Sequence, residues 1–126
     1  MYKDVDFSVL LGKTLTKVEV FGSEEIIFET TEGETFRMFH YQDCCESVTI
    51  EDICGDIQAL VGSPIILAEV VSNSDDAPSG ECYDGSYTWT FYRIANKKIF
   101  VTIRWYGESN GWYSESVDFV ELLGDE

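Results

Sequence analysis

The sequence predicts an α+β fold in a single domain, 1–126, built mostly as an antiparallel β meander with two short helices. Three observations lead there. Apolar and polar residues alternate through much of the chain, turn signals such as Glu32-Gly33 separate the alternating runs, and two apolar segments stop at Gly12 and Gly62 as glycine-capped helices do. With 126 residues, 44% of them hydrophobic, there is enough apolar material for one core.

Residues 7–11 read as one or two helical turns closed by Gly12. Strands follow at 15–21, where Thr16, Lys17 and Glu19 interleave apolar residues, at 25–31, and at 35–41. After a loop at 42–46, residues 47–50 read as a short strand. Thr49-Ile50-Glu51-Asp52 has capping-box spacing, which places a helix from there to about Leu60, stopped by Gly62 and Pro64. The almost wholly apolar run 65–71 reads as a buried strand, and 72–86, rich in Ser, Asp and Gly, as a mobile loop. Strands at 87–94 and 99–106 flank the turn Ala95-Asn96-Lys97-Lys98; 107–111 is a further turn, and 113–122 closes the fold. Trp89, Phe91, Phe100, Trp105, Trp112 and Tyr113 gather in this last third, as core or cross-strand packing.

Residues 7–20 align with 57–70 at an offset of fifty, with leucine, glycine, glutamate and valine identical in place. Glu46-Ser47-Val48 likewise matches Glu115-Ser116-Val117. The chain then divides into possible repeat halves, 7–53 and 57–122, each a helix followed by four strands. In that layout the loop from His40 to Glu46 and the loop from Arg104 to Glu115 occupy equivalent places. Whether they converge depends on where the pseudo-twofold axis lies.

The densest chemistry lies in His40-Tyr41-Gln42-Asp43-Cys44-Cys45-Glu46. Three readings are open. His40, Asp43, Cys44, Cys45 and Glu46 include the ligand types of a divalent metal site, with Cys54 or Cys82 able to join, although no CxxC pair is present. A cysteine nucleophile beside His40 is the second, and the surrounding carboxylates oppose the thiolate it needs. The third, which is favoured, is a structural turn: a small buried cysteine, Asp43 and Glu46 accepting backbone N–H groups, and His40 hydrogen-bonded to a neighbouring loop. The second loop adds Arg104, Glu108, Asn110, Trp112 and Glu115, with Arg104 expected to pair with Glu108 or Glu115 across the Asn110-Gly111 turn. A binding set of His40, Asp43, Glu46, Arg104, Glu108, Asn110, Trp112 and Glu115 results.

The net charge of −16, from 24 acidic and 8 basic residues, argues against direct contact with nucleic-acid phosphates or anionic membranes. A basic protein surface is the compatible partner. Because the acids are dispersed, a well-solvated face is the plain alternative. No apolar run is long enough to span a bilayer, and Met1-Tyr2-Lys3-Asp4-Val5-Asp6 does not read as a signal peptide, so a cytoplasmic location with reduced thiols is expected. The chain carries no phosphate-cradling glycine loop, no Ser-His-Asp constellation and no HExxH helix. Catalysis is not expected, and no cofactor beyond the metal considered above.

The segments His40-Tyr41-Gln42-Asp43-Cys44-Cys45-Glu46-Ser47-Val48 and Arg104-Trp105-Tyr106-Gly107-Glu108-Ser109-Asn110-Gly111-Trp112-Tyr113-Ser114-Glu115-Ser116-Val117 resemble the signature stretches of an uncharacterised family of small acidic proteins of bacteriophages and their hosts. Leu11-Gly12-Lys13-Thr14-Leu15 and Ile50-Glu51-Asp52-Ile53 are similar to it as well, so the likeness covers most of the chain. It carries no known activity and implies the cytoplasm of a bacterial host cell. The function expected is that of a non-catalytic, phage-type interaction or inhibitor protein. Its acidic surface would bind a host protein, for instance at a basic nucleic-acid-binding face. A metal- or small-ligand-binding domain using the central loop is the alternative.

Overall fold

The computed structural model describes residues 1–76, 86–109 and 114–123. Nine strands follow in order: β1 (Tyr2–Asp4), β2 (Leu15–Phe21), β3 (Glu25–Thr30), β4 (Thr35–Phe39), β5 (Ser47–Cys54), β6 (Leu67–Asp76), β7 (Ser86–Ala95), β8 (Phe100–Ser109) and β9 (Asp118–Leu122). They form two antiparallel sheets, one of five strands in the order β1-β9-β4-β3-β2 and one of four in the order β5-β8-β7-β6. Period-2 alternation explains the strands: Ile26, Phe28 and Thr30 of β3 and Val101, Ile103 and Trp105 of β8 point inward, while their neighbours are partly exposed.

One core joins both sheets, with Phe28, Phe36 and Met38 from the first in the same cluster as Ile94, Ile103 and Trp105 from the second. The indole Nε1–H of Trp105 donates to Met38 Sδ across that core at 3.3 Å. Phe7 stands edge-on to Phe28, Tyr92 and Phe119 and so wedges between the sheets.

The connections interlock. The meander β2–β3–β4 ends by sending β5 to the other sheet, where it pairs with β8. The meander β6–β7–β8 ends by sending β9 back to pair with β4. Two crossing hydrogen bonds tie the entries to these meanders, Gly12 N–H to Ile65 O at 2.8 Å and Gly62 N–H to Leu15 O at 3.0 Å.

The fold is therefore essentially all-β rather than α+β, and among the described residues there is no α-helix. The two expected helices are single 3-10 turns, Phe7–Leu10 and Ile57–Leu60, capped by Asp6 accepting from Ser8 N–H and Asp56 accepting from Gln58 N–H. Four residues cannot close a ladder of α-helical hydrogen bonds, so the tighter turn forms instead. The capping-box spacing at Thr49 lies inside β5, where Val48, Thr49, Ile50 and Ile53 are β-branched and pair with β8.

Further differences concern burial and strand length. The apolar run expected as a buried strand leads into β6, whose Val70 and Val71 are exposed because β6 is a sheet edge paired only with β7. The expected loop at 72–86 is partly strand: β6 continues to Asp76 and β7 starts at Ser86, while 77–85 lie outside the described residues. Likewise β8 runs through Gly107 to Ser109, and β9 begins only at Asp118. Of the aromatic set, Trp105 is buried, Phe100 is 53% exposed, and Trp89 and Phe91 lie partly exposed on the opposite face from Tyr92. The expected turn at Asn96 is present. The Asn96 side chain accepts from Lys98 N–H and Ile99 N–H and donates to Ala59 O and Leu60 O, docking the turn on the second 3-10 turn.

Candidate functional site

His40 leaves the end of β4 with its side chain only 4% exposed. Its Nδ1–H donates to the Ser116 carbonyl at 2.7 Å, and its Nε2–H donates to Glu46 Oε2 at 2.6 Å. The Glu46 carboxylate also accepts Asp43 N–H at 2.7 Å and Cys44 N–H at 3.0 Å. Gln42 Nε2–H donates to Glu46 O, and Tyr41 N–H donates to Asp118 Oδ2. The loop is thus wrapped around one buried anion. Burial by itself pushes the Glu46 carboxyl up, but the Cys44 and Asp43 amides and the His40 ring outweigh it and hold the group down at about 2.

The second loop has the same construction. Glu115 accepts Ser109 Oγ–H at 2.5 Å and Thr88 Oγ1–H at 2.7 Å. His40 to Glu46 and Ser109 to Glu115 are each a strand-end side chain gripping a glutamate six residues on. The two loops meet at the His40–Ser116 and Tyr41–Asp118 hydrogen bonds. Gly107 permits this approach, because a Cβ there would stand 2.8 Å from Glu115 O and 3.0 Å from both Glu115 Cβ and Val48 Cγ2. Gly107→Ala is accordingly expected to cost about 1–3 kcal/mol in urea unfolding and to shift the amide resonances around Ser116. Unchanged stability and spectra would show that the segment carrying Glu115 has room to spare.

Not all of the expected site residues contribute as foreseen. Asp43 supplies its backbone N–H, not its carboxylate, and its side chain is exposed. Cys44 and Cys45 are exposed rather than buried, and their sulfurs are bonded to each other instead of standing as the reduced thiols expected. Among the described residues no group of three or more His, Cys, Asp or Glu side chains is placed to hold a metal ion. Arg104 forms no ion pair with Glu108 or Glu115. Alternation along β8 puts Arg104 on the outer face, over the Trp89 ring at 5.3 Å, whereas Glu115 packs on the inner side at Gly107. Glu108 sits opposite Ser47 and accepts from the Tyr106 hydroxyl. Asn110, Trp112 and Cys82 lie outside the described residues.

Beside the braced loop lies a cleft of about 380 Å³ bordered by Glu24, His40, Gln42, Glu46, Ser47 and Thr49. Sequence reasoning missed the Ser116 carbonyl, since a backbone acceptor leaves no residue-type signal. It also missed Asp118, which the Val117-Asp118 position next to a strand start could have suggested as a capping carboxylate. Among the described residues no helix is long and apolar enough to cross a membrane.

Two interlocked antiparallel sheets with a pair of glutamate-centred loops at their junction define an all-β domain whose most polar loops brace the backbone. The chain belongs to the family described as a domain of unknown function, DUF7448, whose model matches residues 8–119. No curated protein and no solved structure matches it.

Proposed function

We propose that this is a non-catalytic interaction protein that engages a basic surface of a partner protein through the acidic edge along β5. One observation carries the reading. Glu24, Asp43, Glu51, Asp52 and Asp56 are exposed, and none of them forms an ion pair among the described residues. Four of the eight cations are engaged elsewhere: Lys13 with Glu32 and Glu34, Lys17 with Glu19, Arg37 with Glu25, and Arg93 with Glu69. β5 is an edge strand, held to the first sheet by Ile50 N–H donating to Ser23 O, so its acids face outward along a ready-made ridge. Such a ridge repels nucleic-acid phosphates, attracts a cationic surface and speeds encounter with it. The His40–Glu46 lock fixes the end of the ridge that carries Asp43.

The likeness to acidic phage proteins supports a bacterial host cytoplasm as the setting and a host protein as the partner, with a nucleic-acid-binding face as one basic surface of the right charge. We also read 7–53 and 57–122 as duplicated halves. The shared offset of fifty between Gly12–Ile65 and Gly62–Leu15 supports this.

The test is capture from a bacterial lysate by immobilised protein, comparing the wild type with a Glu24→Lys, Asp43→Lys, Glu51→Lys, Asp52→Lys variant. The expected result is a defined set of proteins retained at low salt, released at high salt, and absent with the variant although its melting is unchanged. Equal capture by a folded variant would remove the β5 edge as the docking face.

A further inference from the structure

We propose that the cleft between the inner face of β7 and the segment 114–117 binds a primary ammonium group carried on an apolar stem. This deepens the preceding reading, since it rests on a cationic partner and names the group that enters. The cleft has a volume of about 410 Å³, within the range of small-ligand sites. Phe7, Val70 and Val117 supply apolar walls, and Asp6, Thr90 and Glu115 supply oxygen.

Three features favour an ammonium. First, among the described residues no lining residue is Lys, Arg, His, Asn or Gln, so carboxylates and hydroxyls set the polarity there and acceptors predominate. A donor-rich cation complements that lining, and an anion is repelled. Second, Thr90 is only 5% exposed, and its hydroxyl has no hydrogen-bond partner among the described residues. Its oxygen is not sealed from solvent, so it opens into the cleft as a group ready to bond with whatever enters. Third, β7 is a central strand, yet its inward positions carry Thr88 and Thr90, where the inward positions of β3 carry Ile26 and Phe28. The Thr88 hydroxyl is explained by its hydrogen bond to Glu115, whereas core packing alone gives no reason for the one on Thr90. Departures of this kind from the apolar-in pattern are expected where a site has been built.

The cleft also has a negative environment. Burial holds the Tyr92 phenol well above its ordinary range, and the carboxylates of Asp118 and Asp6 push it further up. The phenol therefore keeps its proton and donates it to Val117 O, bracing the wall that faces Thr90.

The experiment is an NMR titration of the intact chain with n-butylammonium and, separately, with 1-butanol. Saturable shifts at Val70, Thr90 and Val117 are expected, with butanol about tenfold weaker, the factor that one charge-assisted hydrogen bond supplies. Thr90→Val should weaken butylammonium about threefold or more while melting no lower than the wild type, because it replaces an unpartnered hydroxyl with a methyl group. No saturable shift, equal binding of butanol, shifts mapping elsewhere, or undiminished binding by Thr90→Val would each overturn the site. Blocked lysine, Nα-acetyl-lysine methylamide, binding more tightly than 1,5-diaminopentane assigns the group to a protein side chain; the reverse order assigns it to a free amine. Thr90→Val leaves the β5 acids untouched. No amine binding by the wild type while its lysate capture is retained therefore sinks this site alone, and no capture by the wild type while amine binding is retained sinks only the docking face.

Discussion

Trp105→Ala is expected to destabilise the fold by about 3–5 kcal/mol, the usual cost of removing a fully buried large aromatic. Trp105 is 0% exposed, sits on the inward face of β8, and reaches across the core to donate its Nε1–H to Met38 Sδ. It therefore touches both sheets, and its loss leaves a cavity at the seam that holds them together. Since a domain of this size has a total stability of roughly 5–15 kcal/mol, the variant should sit near the limit of folding. Urea and thermal melts measure this directly, with a midpoint expected roughly 10–20 °C lower. Trp105→Phe keeps most of the ring volume and should lose only about 1–2 kcal/mol. If alanine cost no more than phenylalanine, the seam would not depend on this side chain.

The second large effect centres on Glu46. Glu46→Ala leaves the His40 ring, Asp43 N–H and Cys44 N–H without their common acceptor in a buried setting. Hydrogen exchange at those two amides should accelerate, and the melting midpoint should fall by several degrees. The effect is pH-dependent, with a determined sign. Glu46 is held at about 2 in the folded protein against an ordinary 4.5, so the folded state favours the ionised form. Its stabilisation is fully present above about pH 4.5 and is lost as pH falls toward about 2. Melts of the wild type and Glu46→Gln between pH 7 and pH 3 isolate this group, because every other carboxylate is common to both proteins. The gap between them should narrow on acidification. A constant gap would mean that the loop does not rely on the anion.

The central loop illustrates how far side-chain chemistry can be read from the chain. Seven residues with an imidazole and two carboxylates but no CxxC pair favour a turn fixed by backbone hydrogen bonds. Glu46 does fix it in that way, while Asp43 does not, because only one carboxylate can occupy the centre of so tight a loop. The expected small buried cysteine is absent for the same reason: with Glu46 inside, both Cys44 and Cys45 are turned out to solvent.

What the sequence by itself determined is local and periodic. The alternation through β3, β4 and β8, the stops at Gly12 and Gly62, the Asn96 turn and the excess of acid are properties of neighbouring residues, set by backbone sterics, pleat geometry and charge. Tertiary structure decided the rest. In Tyr87-Thr88-Trp89-Thr90-Phe91-Tyr92 the pleat fixes two faces but not which one is covered, and covering Thr90 rather than Trp89 is what makes the cleft. The short 3-10 turns at 7–10 and 57–60, the crossing of β5 and β9 between sheets, and the meeting of His40 with Ser116 likewise depend on partners far away in the chain. Their free energy comes from burying one sheet against the other, a quantity that no local stretch of sequence contains.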